Sequence, residues 1–284
     1  MKTIKILAKV ICVTLLCLSC DNISEKTSVT LSENITLVID PIYSPRTENS
    51  FLLGDYGSYL NYLKDSDYIV GISASKANAL SSHKIKGYCG PRYNYDTKSS
   101  DFNSFEVKID NKIFSHSAVT KSTFNEQALY GKTLTFSITP NVPTKSNGCD
   151  IELYAPEMIN ITKPSTEAVE NLLPLCYYDG FKLCWNSDSK NKNGVIVIIE
   201  WIGEMVIGND IPETHVRRVC VLDDTGESIL PNDIFEDIPD TAVCHLTLLR
   251  GNAENINIGN ESFNIMVESH EFLNFVLIRE IKHI

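Results

Sequence analysis

The run Ser189-Lys190-Asn191-Lys192-Asn193-Gly194, followed six residues on by Glu200, comes nearest in this chain to the spacing of a cation loop. A calcium loop of that spacing needs Asp first and a helix behind it, so that the final Glu folds back bidentately onto the ion. Here Ser189 replaces Asp, and the five β-branched residues 195–199 favour an extended strand. At about 3.3 Å per residue that strand carries Glu200 roughly 20 Å from the turn. A polar hairpin turn is the reading that follows. Asp233, Glu236, Asp237 and Asp240 make a second acidic group, read as solvated charge on an acidic protein. Neither a metal nor a cofactor is expected.

Acid–base and nucleophilic chemistry finds little purchase. The six histidines, His83, His116, His215, His245, His270 and His283, form no HxH or HExxH pair. His245 sits in an alternating strand-like run and reads as structural, whereas His270, in Glu268-Ser269-His270-Glu271, is a turn candidate with acidic neighbours. Gly87-Tyr88-Cys89-Gly90 places a thiol in a permissive loop with no visible activating cation. No G-x-S-x-G elbow and no phosphate-cradling glycine loop occurs. No catalytic residue is assigned, and the chain is read as no enzyme. Trp185 shares a strand face with Phe181 and Leu183 and reads as core. Trp201, at a strand end near Gly203, and the loop tyrosines Tyr88, Tyr93 and Tyr95 are the candidate ligand-binding surface, suited to stacking on sugar rings.

The chemistry with the clearest address is at the N-terminus. Lys2, Lys5 and Lys9 form a basic head, and residues 10–18 form an apolar run too short to cross a bilayer, the pattern of a signal peptide. Leu16-Cys17-Leu18-Ser19-Cys20 resembles a lipobox, which implies that Cys20 is acylated and becomes the first residue. Cleavage there removes 19 of 284 residues and three lysines, leaving 265 residues and taking the formal charge from −11 to −14. That charge, with no basic tract, disfavours nucleic acid as a partner. Six cysteines follow Cys20. Cys184, Cys220 and Cys244 read as buried hydrophobes, while Cys89, Cys149 and Cys176, near turns, are candidates for one bridge.

The elements that would position these groups are strands. Residues 21–33 are polar and read as a flexible tether. Strands are expected at 35–39, 68–73, 105–109, 112–114 and 134–138, with a hairpin at Asp110-Asn111 and a short helix within 51–68 that includes Tyr59, Leu60 and Leu63. A second series follows at 158–162, 180–186, 195–201, 216–222, 242–249, 263–267 and 272–278. Turns at Asp224-Thr225-Gly226, Arg250-Gly251-Asn252 and Gly259-Asn260 separate the later ones. This spacing predicts an all-β chain of two β-sandwich domains in tandem: signal 1–19, tether 20–33, an N-terminal domain 34–152 and a C-terminal domain 153–284.

The Pro156 lead-in, Trp185, the Asn193-Gly194 turn and Trp201 together resemble the opening of a fibronectin type III or immunoglobulin-like domain. The layout of lipobox and acidic β body is similar to surface lipoproteins of Bacteroidales-type bacteria. That resemblance implies a lipid anchor in the outer membrane or at the cell surface, and a role in adhesion, ligand capture or assembly, with a glycan or a surface protein as partner. It also implies that Asp240-Thr241-Ala242 is an O-glycosylation acceptor at Thr241. Two alternatives stand beside it. One is a fimbrillin-like pilus subunit trimmed after Arg46, in Pro45-Arg46-Thr47; the other is a secreted hydrolase.

Overall fold

Runs of β-branched and aromatic residues, punctuated by Gly, Asn and Asp, build strands throughout the residues that the computed structural model describes: 36–38, 66–77, 82–91, 105–114, 126–141, 148–165, 173–204 and 216–279. The largest sheet runs β1 (Thr36–Val38), β12 (Val216–Leu222), β11 (Val195–Trp201), β14 (Val243–Ile258), β15 (Glu261–Ile278), β2 (Tyr68–Lys76) and β3 (Lys84–Pro91). β9 (Leu175–Tyr177) pairs with the far end of β15. A four-stranded sheet has the order β5 (Lys112–Phe114), β4 (Phe105–Ile109), β6 (Lys132–Pro140), β7 (Cys149–Ala155), and a three-stranded one β13 (Glu227–Ile229), β10 (Lys182–Trp185), β8 (Ile161–Lys163). The chain is all-β, as its sequence predicts, and its described residues contain no α-helix.

The two small sheets pack on one face of the large sheet and enclose two cores. One core gathers Leu183 and Trp185 of β10 with Val197, Trp201, Leu246, Leu273 and Phe275 of the large sheet. The other gathers Val107, Leu134 and Phe136 of the four-stranded sheet with Val70, Ile72, Phe263 and Ile265. Smaller apolar clusters, Ile196 with Ile198, Val219 and Leu249, and Ile69 with Met266, lie on the opposite face of the large sheet. That double burial explains why β11 is β-branched at five consecutive positions.

Several expectations are revised. The residues Arg250-Gly251-Asn252 and Glu268-Ser269-His270-Glu271, expected as turns, are the middles of β14 and β15, paired to each other from Val243↔Val276 to Ile258↔Glu261. Cross-strand pairing overrides the local turn preference of Gly and Asn there. β10 and β11 are not hairpin neighbours: they belong to facing sheets and meet through their side chains. The expected domain boundary at 152/153 falls within β7, and β2, from the first half, runs parallel along β15 from Phe263 to Glu271. Both cores therefore share one sheet within a single compact unit, Asn34–Ile284. Tyr59, Leu60 and Leu63 of the expected helix lie outside the described residues, and Tyr68 opens a strand. The Asp110-Asn111 hairpin forms as expected, with φ of 50° and 64° at the two turn residues.

Candidate functional site

Period-two alternation along β15 puts Phe263, Ile265 and Val267 in one core and Leu273, Phe275 and Leu277 in the other, so Ser269 and Glu271 between them face the same way. On β14 Arg250, opposite Ser269, and Asn252, opposite Val267, share that face, and on β2 the residue beside Glu271 is Lys76. A polar seam thus crosses the large sheet between two apolar cores. The segment 156–160, which joins β7 to β8, lies over it.

Side chains of the seam satisfy the backbone of that segment group by group. Glu157 N donates to Asp188 Oδ2 at 2.9 Å, and Arg250 Nη1 donates to Glu157 O at 2.9 Å. The Asn186 amide imitates a strand partner, donating to Met158 O at 2.9 Å and accepting from Asn160 N at 2.6 Å. Ile159 N donates to Ser269 Oγ at 3.0 Å, and Ile159 O lies 3.0 Å from His83 Nε2. Ile161 N donates to Glu271 Oε2 at 2.5 Å, while Lys76 Nζ bridges Glu271 Oε1 at 2.9 Å and Asn160 Oδ1 at 3.1 Å. Arg250, 0% exposed, also donates to Asn186 O and, at 2.7 Å, to Asp224 Oδ1. Asp224 in turn accepts from Trp185 Nε1 and Asn191 Nδ2, each at 2.9 Å. Buried charge is tolerated in such numbers only when paired and hydrogen-bonded, and Arg250 and Lys76 each have a carboxylate partner, although Arg250 Nε has no hydrogen bond.

The loop with cation-like spacing belongs to the same seam. Asp188 accepts from Tyr154 Oη at 2.8 Å and Lys190 N at 3.0 Å as well as from Glu157 N. Burial by itself would raise its carboxyl, but those hydrogen bonds and the charge of Arg250 hold it below the usual range. Tyr154 is the converse: burial, then its bond to the Asp188 carboxylate, pushes the phenol up. Glu200 stands in β11, opposite Arg217 on one side and His245 on the other, as the run of β-branched residues requires. In the second acidic group Asp237 pairs with Arg218 at 3.0 Å, and Asp240 Oδ1 accepts from Arg279 N at 2.7 Å.

The other expected site residues scatter. Trp201 is corrected from a candidate stacking platform to a core residue, 1% exposed, with its indole N–H donating to Glu204 O at 2.9 Å. Tyr88 is half-buried on β3 against the Ile69–Met266 cluster, and its hydroxyl donates to Pro91 O at 2.9 Å. Tyr93, Tyr95 and Cys20 lie outside the described residues. Thr241 is half-buried at a bend with φ 60°, its N–H donating to Leu277 O. All six described cysteines are free thiols, so no bridge joins the candidates Cys89, Cys149 and Cys176. Cys184 is half-exposed rather than buried, because it alternates with the inward Leu183 and Trp185. Burial pushes the thiols of Cys220 and Cys244 up to about 12, far from the reactive thiolate range.

Sequence reasoning missed the seam itself. The available signal was the spacing Val267-x-Ser269-x-Glu271-x-Leu273, which places two polar residues on an apolar face once 261–278 is read as one strand. Comparison with protein-family models, with curated proteins and with solved structures finds no match for this chain.

Proposed function

We propose that this chain is a non-enzymatic surface lipoprotein, anchored through acylated Cys20, whose two-core β body serves adhesion, ligand capture or assembly. The observation that carries the reading is the N-terminal pattern: basic head, short apolar run, then Leu16 to Cys20. The seam supports it from the chemical side. Its charged side chains, which would be the natural acid–base candidates, are committed to backbone groups and to one another. A fibronectin type III-like C-terminal half is supported by strand order once the short β9 is set aside: of the remaining seven strands, the first, second and fifth (β8, β10, β13) face the third, fourth, sixth and seventh (β11, β12, β14, β15). Ligand contact is assigned to the surface around Tyr88, Tyr93 and Tyr95, and O-glycosylation to Thr241.

The test is Cys20→Ser with membrane fractionation. The variant should leave the membrane while keeping its far-UV spectrum, because only the acyl anchor is lost. Retention in the membrane fraction would defeat the reading. A glycan array run with the mature protein then separates sugar capture from a protein partner.

A second reading, the fimbrillin-like subunit, is favoured by one observation. β1 is a three-residue strand on the outer edge of β12, at Val219 to Val221, and it precedes Arg46. Trimming after Arg46 would take that strand away and leave an edge open to pairing. Mass spectrometry of the native N-terminus distinguishes a lipidated Cys20 from a free Thr47.

A further inference from the structure

Segment 156–160 carries the chain from β7, in one core, to β8, in the other. Connections of this kind ordinarily run over the surface and take their hydrogen bonds from water. This one has an apolar anchor on each side: Ala155 is buried in the core of the four-stranded sheet, and Ile159 and Ile161 in the core of the three-stranded one. Between the anchors its N–H groups at Glu157, Ile159 and Asn160, and its carbonyls at Glu157, Met158 and Ile159, each meet a side chain. The partners stand on both long strands, Arg250 on β14 and Ser269 and Glu271 on β15, and on the loop carrying Asn186 and Asp188.

We propose that this segment is a strap that locks the two cores into one cooperative unit, with Arg250 and Glu271 the buried charges that keep it seated. The physical reason is the cost of partial opening. Lifting the strap takes Glu157 O from Arg250 and Ile161 N from Glu271, while both charges stay buried against the sheet. Arg250 keeps its ion pair with Asp224 and Glu271 its ion pair with Lys76, but their buried hydrogen-bonding sites facing the strap are left unsatisfied, so half-open states are disfavoured and the joint behaves as all-or-none. The proposal stands on the seam alone and does not depend on lipidation or on any ligand.

The two tryptophans make it testable, because Trp185 and Trp201 both lie in the same core. Tryptophan fluorescence of the full chain in detergent therefore reports that core, and hydrogen exchange of β4 and β6 amides reports the other. In the wild type the two probes should give one urea transition with coincident midpoints. Ser269→Ala removes the acceptor of Ile159 N without touching a charge, and Glu271→Gln removes the Lys76 ion pair while leaving an acceptor for Ile161 N. Each should split the transition, with the probes resolving two midpoints. Two midpoints already present in the wild type would overturn the proposal. So would variants that lose stability while the probes still coincide, since the shared β14–β15 hairpin would then be the coupling element. Should Glu271→Gln fail to fold, Ser269→Ala decides.

Discussion

Trp185 and Trp201 show how far a residue's surroundings decide its role. Both are nearly sealed, at 4% and 1% exposure, and both indole N–H groups are used, by Asp224 and by Glu204 O. Trp201→Ala should therefore cost as much as Trp185→Ala, about 3–5 kcal/mol each, in urea unfolding. A Trp201→Ala protein of wild-type stability would restore it as an exposed platform. His270 offers a pH handle on the opposite face of the sheet. It is 4% exposed, with the Phe272 ring 4.9 Å away, and its Nδ1 has no hydrogen-bond partner. Burial first, then the charges of His83 and Lys86, hold its imidazole at about 4, below the usual 6.5. The unfolded chain takes up this proton more readily than the folded one. The stability held in the neutral ring is thus complete above pH 6.5 and lost as pH falls from 6.5 towards 4, on the order of 3 kcal/mol in all. His270→Leu should flatten the fall in urea stability between pH 7 and 4.5, and an unchanged slope would remove His270 from the account.

At the scale of elements, turns were legible where two residues carry the geometry. Asp110 and Asn111 both adopt positive φ, which short polar side chains tolerate, and β4 and β5 pair as that turn dictates. Gly194 is more demanding. Its φ is 72°, and a Cβ there would sit 2.3 Å from Leu222 O, the carbonyl at the start of the β11–β12 ladder. Gly194→Ala should cost about 2 kcal/mol or more, read as a lowered Tm, and a variant melting with the wild type would show that the turn can relax. The strand β3 escaped notice because Gly87 and Gly90 look like loop residues. Pairing with β2 from Tyr68↔Pro91 to Ser75↔Lys84 supplies what their propensity lacks. The same holds for the middle of β14, where Arg250, Gly251 and Asn252 stay extended because Ser269, Glu268 and Val267 lie opposite.

For the whole molecule, the consequence is that the two halves of the sequence are not two independent bodies. β15 pairs with β2 along Phe263 to Glu271, and Phe263, Ile265 and Val267 pack against the four-stranded sheet. A fragment beginning at residue 153 would expose that row and lose Val107, Leu134, Phe136 and most of the core above it. Expressed alone, 153–284 should aggregate or fail to protect the amides of 263–271 from exchange, whereas 34–284 should protect them. A soluble, cooperatively folded 153–284 would restore the tandem-domain arrangement. That arrangement is what the spacing of turns suggests when each strand is taken by itself.

The sequence by itself determined the all-β class, the positions of most strands, the core status of Trp185 and the improbable geometry of a cation loop ending at Glu200. Each of these rests on side-chain alternation and backbone preference within a few neighbouring residues, which is local information. Only the tertiary structure decided that β14 and β15 run unbroken through two cores, that β10 and β11 face each other across sheets, and that Arg250 and Glu271 meet the backbone of residues 157–161. Those contacts join residues as far apart as 110 positions, as Ile161 and Glu271 are. Local preference holds nothing about such partners, and a polar residue with a partner of that kind looks, along the chain, like a residue made for solvent.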